Sequence, residues 1–153
     1  MSVERTLVAY ASIGGSTEEY ANAVYSVFKD EYKMQVDLVD LSKNQNPDLT
    51  KYRNVVVGTG IRIQRMHSQG ARFLEKDFRD KKVAIFVSSL ESKEDVAKKY
   101  VDKILEKNRN LAPVNVEVFG GRMRILGKTS NDNVDLNKAK EWAQKIAKEL
   151  TGN

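Results

Sequence analysis

Five apolar segments of strand length alternate along the chain with segments of helical periodicity, and no other feature constrains the fold as strongly. The strand candidates are Thr6–Tyr10, Val36–Val39, Asn54–Gly58, Val83–Val87 and Val114–Phe119. The first, third and fourth are nearly continuous apolar runs, which are typical of parallel strands covered on both faces. The second and fifth alternate apolar and polar residues, which indicates positions nearer the edges of a sheet.

Four apolar stripes at helical spacing lie between or after these strands. Their positions are Tyr20, Val24, Val27 and Phe28; Phe73, Leu74 and Phe78; Val96, Ala97, Tyr100, Val101, Ile104 and Leu105; and Leu136, Ala139, Trp142, Ala143, Ile146 and Leu150. Residues 41–52 predict a loop that contains either a short helical turn at 48–52 or a fifth crossover helix. Because crossovers between parallel strands are right-handed, we expect an α/β fold of three layers, with a doubly wound, five-stranded parallel sheet. No repeat or linker divides the chain, so we expect one domain over residues 1–153, with Trp142 in its core.

The composition excludes several kinds of site. The chain has no cysteine, which excludes disulfides, thiolate metal ligands, cysteine nucleophiles and iron–sulfur clusters held by it. The single histidine, His67, leaves only carboxylates for a metal, so no metal site is predicted. The apolar run that begins at Leu7 is too short for a signal peptide or a membrane helix. We therefore expect no membrane span and a cytoplasmic location.

The formal net charge is +5 at pH 7, and a positive balance can indicate an anionic partner. The basic residues are interleaved with acidic ones, as in Lys98–Lys103, which favours a solvated surface over a docking surface. No arginine block with interleaved aromatic residues, the pattern of a base-stacking platform, is present. We therefore predict no nucleic-acid partner.

The loop after the first strand has the composition of an anion site. Its residues are Ser12, Ile13, Gly14, Gly15, Ser16 and Thr17. Glycines let the backbone approach an anion, hydroxyls add donors, and the N-terminus of the following helix adds unpaired N–H groups and a positive dipole end. The same residues also fit a capping box in which Ser16 and Glu19 close the helix without a ligand. From this loop alone, phosphate binding and a simple helix cap remain equal alternatives.

Two more loops follow buried strands at the same edge of the predicted sheet. The candidate residues are Thr59, Gly60, Ile61 and Arg62 after the third strand, and Ser88, Ser89, Leu90 and Glu91 after the fourth. Glycines, apolar residues and a basic residue in the first loop suit a flat, partly anionic ligand, and small residues in the second permit close contact with a ring. Each loop alone is also typical of an ordinary strand–helix connection. Ligands of open parallel sheets bind outside the carboxyl ends of the strands, so the three loops together indicate one site.

The same segments carry a family resemblance that covers essentially the whole chain. The first loop matches the flavodoxin pattern Ser/Thr-x-Thr-Gly-x-Thr at its first, fourth and sixth positions and departs from it at Gly14. Residues 56–67 are similar to the strand-three signature of one flavodoxin-domain group, and residues 118–122 resemble the end of its fifth strand. The chain thus resembles the flavodoxins, and within them the group that includes menaquinone-dependent protoporphyrinogen oxidase.

This resemblance implies a cofactor and a function. The strand order would be 2-1-3-4-5 and the cofactor flavin mononucleotide (FMN). Residues 12–17 would bind the FMN phosphate, while residues 59–62 and 88–91 would flank the isoalloxazine ring. We expect an electron-transfer protein that serves redox partner proteins and has no catalytic residue of its own, because the flavin performs the chemistry. His67 is expected to be a surface residue at a helix start and not a proton relay.

Two other functions remain open at this point. The first is an FMN-dependent oxidoreductase of the protoporphyrinogen oxidase or quinone reductase type, with a quinone or tetrapyrrole substrate. Its substrate carboxylates would be held by Arg62, Arg65, Arg122 and Arg124. Against it, those oxidases carry a long insertion after strand five, whereas the connection here is short. The second is a phosphate-sensing or protein-binding module of the response-regulator type, and the chain lacks the acidic residues that such modules carry after strands one and three.

Overall fold

The computed structural model of the chain describes residues 4–12, 15–62, 65–125 and 128–152. Its strands are β1 (Arg5–Tyr10), β2 (Gln35–Asp40), β3 (Asn54–Arg62), β4 (Arg65–Met66), β5 (Lys82–Ser89), β6 (Asn115–Gly120), β7 (Arg122–Ile125) and β8 (Lys128–Asp132). Its α-helices are α1 (Ser16–Ser26), α2 (Ser68–Phe73), α3 (Lys93–Val96), α4 (Asp102–Lys107) and α5 (Leu136–Thr151). A π-helical turn, Val27–Glu31, extends α1, and another, Ala97–Val101, joins α3 to α4.

The central sheet has five parallel strands in the order β2-β1-β3-β5-β6, with the short β4 paired antiparallel to the end of β3. Numbered among themselves, the five parallel strands have the order 2-1-3-4-5, so the predicted fold class is confirmed. β2 and β6 lie at the edges, as their alternating patterns indicated. The register places Tyr10 opposite Gly58 and Gly60 opposite Ser88. The carboxyl ends of β1, β3 and β5 therefore meet at one edge of the sheet.

Helices cover both faces of this sheet and give the three predicted layers. On one face, α1 and α5 pack on the central strands in a cluster that includes Tyr20, Phe86 and Trp142. On the other face, α2 and the α3–α4 segment pack in a second cluster that includes Phe73. Trp142 is only 5% exposed and its Nε1 donates to Asn115 Oδ1 at 2.9 Å. Its expected place in the core is therefore confirmed.

Gly58, at the start of the loop that the sequence singled out, serves this core. A Cβ at Gly58 would lie 2.1 Å from Cζ of Phe86, so the phenyl ring fills the space that any side chain would need. The Phe86 ring also meets Tyr20 and Trp142 edge-on, at centroid distances of 6.3 and 5.9 Å. Aromatic pairs of this geometry contribute about 0.5–1.5 kcal/mol each beyond the area they bury. The glycine is thus explained by packing, without a ligand.

Residues 41–52 contain a short 3₁₀ turn, Leu49–Lys51, and the alternative of a crossover helix is wrong. Asp48 begins the turn by accepting a hydrogen bond from the Thr50 N–H at 3.1 Å. Lys81 then holds the turn against the sheet, because its Nζ donates to the carbonyls of Leu49 and Tyr52 at 2.7 Å each. Side-chain hydrogen bonds thus satisfy the backbone N–H and C=O groups of this turn, which a helix would otherwise satisfy.

The connection after β6 is an antiparallel hairpin of β7 and β8, in which Arg122 lies opposite Asp132. The sequence indicated only a short connection here, because strands of four and five residues give too brief an alternation to be recognised. None of the helices in the described ranges is both long and apolar enough to cross a membrane.

Candidate functional site

A buried pair of hydroxyls joins the start of α1 to the carboxyl end of β5. Thr17 Oγ1 and Ser88 Oγ lie 2.6 Å apart, within one hydrogen bond, and the two residues are 1% and 3% exposed. Gly60, at the end of β3, lies directly against them, since a Cβ there would be 3.0 Å from Thr17 Oγ1 and 3.3 Å from Ser88 Oγ. The structure therefore brings together one residue from each of the three loops that the sequence singled out.

The residue that caps the first turn of α1 is a glycine, so the cap residue has no side chain to bind the turn. Gly15 is the N-cap residue and has a left-handed conformation with φ of 91°, which favours glycine. Its carbonyl accepts the Glu19 N–H at 3.0 Å, while Ser12 Oγ accepts the Glu18 N–H at 3.4 Å. Helices leave their first N–H groups without intrahelical partners, so this end is suited to an anion.

The capping box considered from the sequence is wrong. It required Ser16 at the N-cap, whereas Ser16 is the first residue of the helix and Gly15 precedes it as the cap. The Glu19 carboxylate, which the box would have used, instead binds Arg122 Nη1 at 2.8 Å. Ile13 and Gly14, the middle of the predicted phosphate loop, lie outside the described residues.

The four residues that the sequence placed in a loop after the third strand are instead the last residues of β3, and successive residues there face opposite sides of the sheet. The Thr59 side chain is fully buried on the face opposite the hydroxyl pair, beneath α2, where a Cβ at Gly70 would lie 2.1 Å from Thr59 Oγ1. That Oγ1 has no hydrogen-bond partner. Ile61 is partly buried against the second core cluster, and the Arg62 backbone closes β3 opposite Arg65. Of Thr59, Gly60 and Ile61, whose surroundings the structure describes, only Gly60 lies against the hydroxyl pair.

Hydrogen bonds fix the loop after β5 on the α3–α4 segment, and one apolar side chain of this loop is exposed. Ser89 Oγ accepts the Glu91 N–H at 3.0 Å. The Glu91 carboxylate accepts hydrogen bonds from Lys99 Nζ at 3.0 Å and the Tyr100 hydroxyl at 2.8 Å, and these bonds lower the pKa of Glu91. Leu90, between the two, is 37% exposed. Glu91 therefore fixes the loop on the α3–α4 segment, while Leu90 is available for an apolar contact.

A fourth segment, Gly120–Gly121, adjoins the site, although the sequence did not predict it as part of the site. The Gly121 N–H donates to the Ser89 carbonyl at 2.9 Å, and a Cβ at Gly121 would lie 3.1 Å from the carbonyl carbon of Ser89. The Tyr20 hydroxyl donates to the Gly120 carbonyl and accepts the Asp135 N–H at 3.2 Å. The signal in the sequence was a pair of glycines directly after the last parallel strand.

His67 caps the short helix α2. Its ring Nδ1 accepts the Gln69 N–H at 3.2 Å, and its backbone N–H donates to the Gly60 carbonyl at 2.9 Å. Burial lowers the pKa of His67 below its ordinary value of 6.5. The backbone of His67 is therefore bonded to the end of β3, next to the candidate site, and His67 is not simply a surface residue.

Residues 7–128 match the model of the flavodoxin domain family. Flavodoxin 2 from Bacillus cereus is 22% identical, covers 95% of this chain over 99% of its own, and has a TM-score of 0.67. A flavodoxin mutant from Fusobacterium nucleatum bound to flavin mononucleotide is 15% identical, with 97% and 98% coverage and a TM-score of 0.62. Rubredoxin oxygen:oxidoreductase from Desulfovibrio gigas is 19% identical with a TM-score of 0.67, and 97% of this chain covers 36% of it. No curated protein matches the chain.

Proposed function

Because the chain belongs to the flavodoxin domain family, we propose that it binds FMN at the carboxyl edge of the sheet and carries electrons between redox partner proteins. The proposal includes one flavin site in a single domain spanning residues 1–153 and a cytoplasmic location. When bound, FMN supplies the redox chemistry, and the chain supplies binding, orientation and exclusion of water.

The observation that carries the proposal is the meeting of Thr17, Ser88 and Gly60 where the start of α1 packs on the carboxyl ends of β3 and β5, beside the gap between β1 and β3. The chain leaves β1 toward β2 on one side, while β3 lies on the other side, so this is the topological switch point of the sheet. In flavodoxins, FMN is bound at this point of the same strand order. The Thr17 and Ser88 hydroxyls bind each other, and Gly60 lets β3 approach them closely, so the pair fixes the start of α1 against the carboxyl ends of β3 and β5.

The phosphate fits the beginning of α1. We propose that the loop of residues 12–17 surrounds it, with N–H groups from the first turn and the hydroxyls of Ser12 and Ser16 as donors, while the buried Thr17 hydroxyl binds Ser88 and fixes the helix start. Gly15 has a φ of 91°, and a Cβ there would meet no atom within 4 Å, so the space beside the helix start is open. The positive end of the helix dipole adds about 0.3–1 kcal/mol for an anion at an exposed site.

The isoalloxazine ring fits between residues 59–62 and 88–91. Leu90 is the exposed apolar side chain on one side. On the other side the end of β3 and β4 form a small antiparallel pair, with Ile61 opposite Met66. We propose that backbone groups and these apolar side chains hold the ring, since the fully buried Thr59 hydroxyl is covered by α2.

The alternative of an FMN-dependent oxidoreductase that acts on a quinone or tetrapyrrole gains no support from Arg122. Its guanidinium is 12% exposed and bonded to Glu19 and Asp132, so it is not free to hold a substrate carboxylate. Turnover of protoporphyrinogen IX with a quinone acceptor tests this alternative directly. Rapid turnover would replace the carrier function by an enzymatic one, and its absence alongside reversible flavin reduction would support the carrier.

Gly15→Asp and Gly15→Asn form a matched pair that tests the phosphate site. Both side chains meet the same left-handed backbone, which Asn and Asp tolerate better than other residues. They differ by one negative charge at the helix N-terminus. We expect Gly15→Asp to weaken FMN binding well beyond Gly15→Asn in a flavin fluorescence titration. Equal affinities for the two variants would contradict a phosphate at this position.

A further inference from the structure

Arg122, the first residue of β7, connects the β7–β8 hairpin to the first turn of α1. Its Nη1 lies 2.8 Å from Glu19 Oε2 and its Nε lies 3.1 Å from Asp132 Oδ2. The Arg122 side chain is only 12% exposed, whereas the two carboxylate side chains are 42% and 45% exposed. Burial alone would lower the pKa of Arg122, but the two carboxylates raise it, so the guanidinium stays charged.

The negative charge of Glu19, in the first turn of α1, would repel an anionic ligand at the start of this helix. Glu19 is four residues after the N-cap Gly15, so its position lies about 6 Å along the helix axis from Gly15, and the proposed phosphate lies beyond that end of the helix. A phosphate monoester carries about −1.5 to −2 charges at pH 7. Glu18, in the same turn, adds a second carboxylate. Without compensation, these acids would offset the attraction of the helix N-terminus.

We propose that Arg122 is a positioning residue for FMN, which neutralises Glu19 and so lets the first turn of α1 accept the phosphate. This inference rests on the proposed function. Arg122 acts through Glu19 and not by touching the phosphate, because its Nη1 and Nε atoms are already directed at carboxylates. Since Asp132 is its partner across the β7–β8 hairpin, the same residue ties the hairpin to the edge of the flavin site.

The alternative role for Arg122 is that of an anchor for the hairpin alone, and a charge-specific experiment separates the two roles. If Arg122 is only an anchor, its substitution should weaken the binding of FMN and of riboflavin, which lacks the phosphate, to the same extent. A failure of charge compensation would weaken FMN selectively, would be reduced by high salt, and would be reversed by removing the charge of Glu19.

The experiment titrates FMN, riboflavin and inorganic phosphate into four variants of the full chain. The variants are Arg122→Gln, Glu19→Gln, the double variant, and Arg53→Gln as control. Arg53 forms an exposed ion pair with Glu4 at 3.9 Å, at the opposite edge of the sheet, and its substitution removes the same charge. Flavin binding is followed by fluorescence quenching, and phosphate binding by amide shifts in the first turn of α1.

We expect Arg122→Gln to weaken FMN about three- to sixfold at low salt, which is the effect of one unit charge on a phosphate of about −1.5 to −2 charges over roughly 8–10 Å in a largely aqueous medium. Riboflavin should change little, Glu19→Gln should bind FMN more tightly, and the double variant should return close to the unsubstituted chain. Arg53→Gln should leave both affinities unchanged. If Arg122→Gln does not fold, Glu19→Gln decides: unchanged or weaker FMN binding overturns the inference.

Two failures are distinguishable. If the unsubstituted chain binds neither FMN nor phosphate, the proposed function and this inference fail together. If it binds FMN, but Arg122→Gln weakens FMN and riboflavin equally or the double variant shows no recovery, the inference alone is overturned.

Discussion

The hydroxyl pair of Thr17 and Ser88 gives the sharpest test of how the site is held together before any flavin binds. Thr17→Val keeps the shape of the side chain and removes its hydroxyl, and Ser88→Ala removes the other. Each single substitution leaves one hydroxyl buried, at 1% or 3% exposure, without its partner at 2.6 Å. An unpaired buried hydroxyl costs about 1–3 kcal/mol, so we expect each variant to lose about 2 kcal/mol of unfolding free energy.

The double variant carries no unpaired hydroxyl and should lose about as much as one single variant, not the sum of the two. The coupling energy between Thr17 and Ser88 is then about 2 kcal/mol. Urea unfolding of the flavin-free protein measures it: with a slope of about 2 kcal/mol per M, each single variant should lower the midpoint by about 1 M. Ser26→Ala, at an exposed position on the same helix, is the control and should change stability by less than about 0.5 kcal/mol. If the two single losses simply add, the hydroxyls do not depend on each other and the bond is not what joins α1 to β5.

Three further predictions test the core and its surroundings. Gly58→Ala should cost about 1–3 kcal/mol in urea unfolding, because its Cβ would lie 2.1 Å from the Phe86 ring; an unchanged midpoint would refute this packing. Tyr20→Phe should cost about 1–3 kcal/mol by leaving the Gly120 carbonyl without its donor, and a loss below about 0.5 kcal/mol would refute that role. His67, the only histidine, should titrate in NMR below pH 6.5. Because the unfolded chain then binds this proton more readily, stability should fall as the pH drops below 6.5 and His67→Gln should remove that fall; a midpoint at or above 6.5 would contradict it.

The arrangement of the sheet could be predicted because its signals are local and repeated. The continuous apolar runs of β1, β3 and β5 report burial on both faces, and the alternation in β2 and β6 reports an edge. Helical stripes between them then leave few topologies once right-handed crossovers are required. The candidate loops followed from the same reasoning, since the carboxyl ends of parallel strands share one edge.

The contacts within the site could not be predicted, because they join residues far apart in the chain. Thr17 and Ser88 are separated by 71 positions, and Glu19 and Arg122 come from nearly opposite ends of the described sequence. No periodic pattern connects such pairs. A local pattern also misled: a serine followed three residues later by a glutamate fits a capping box, yet the left-handed Gly15 takes the cap position instead.

Which glycine serves the core and which lies in the candidate site could not be predicted from the sequence either. Gly58 and Gly60 look alike in the sequence, each at the end of a buried strand. Both lie on the same face of β3, two residues apart, but Phe86 lies against Gly58 in the core, whereas the two hydroxyls lie against Gly60 nearer the carboxyl edge. Thr59, between them, points to the opposite face and lies beneath α2.

The absorption spectrum of the purified, flavin-free chain titrated with FMN tests the central claim most directly. We predict a shifted visible flavin spectrum that saturates at one FMN per chain, with riboflavin bound more weakly because it lacks the phosphate. An FMN spectrum that stays identical to that of free flavin at every protein concentration would contradict the account.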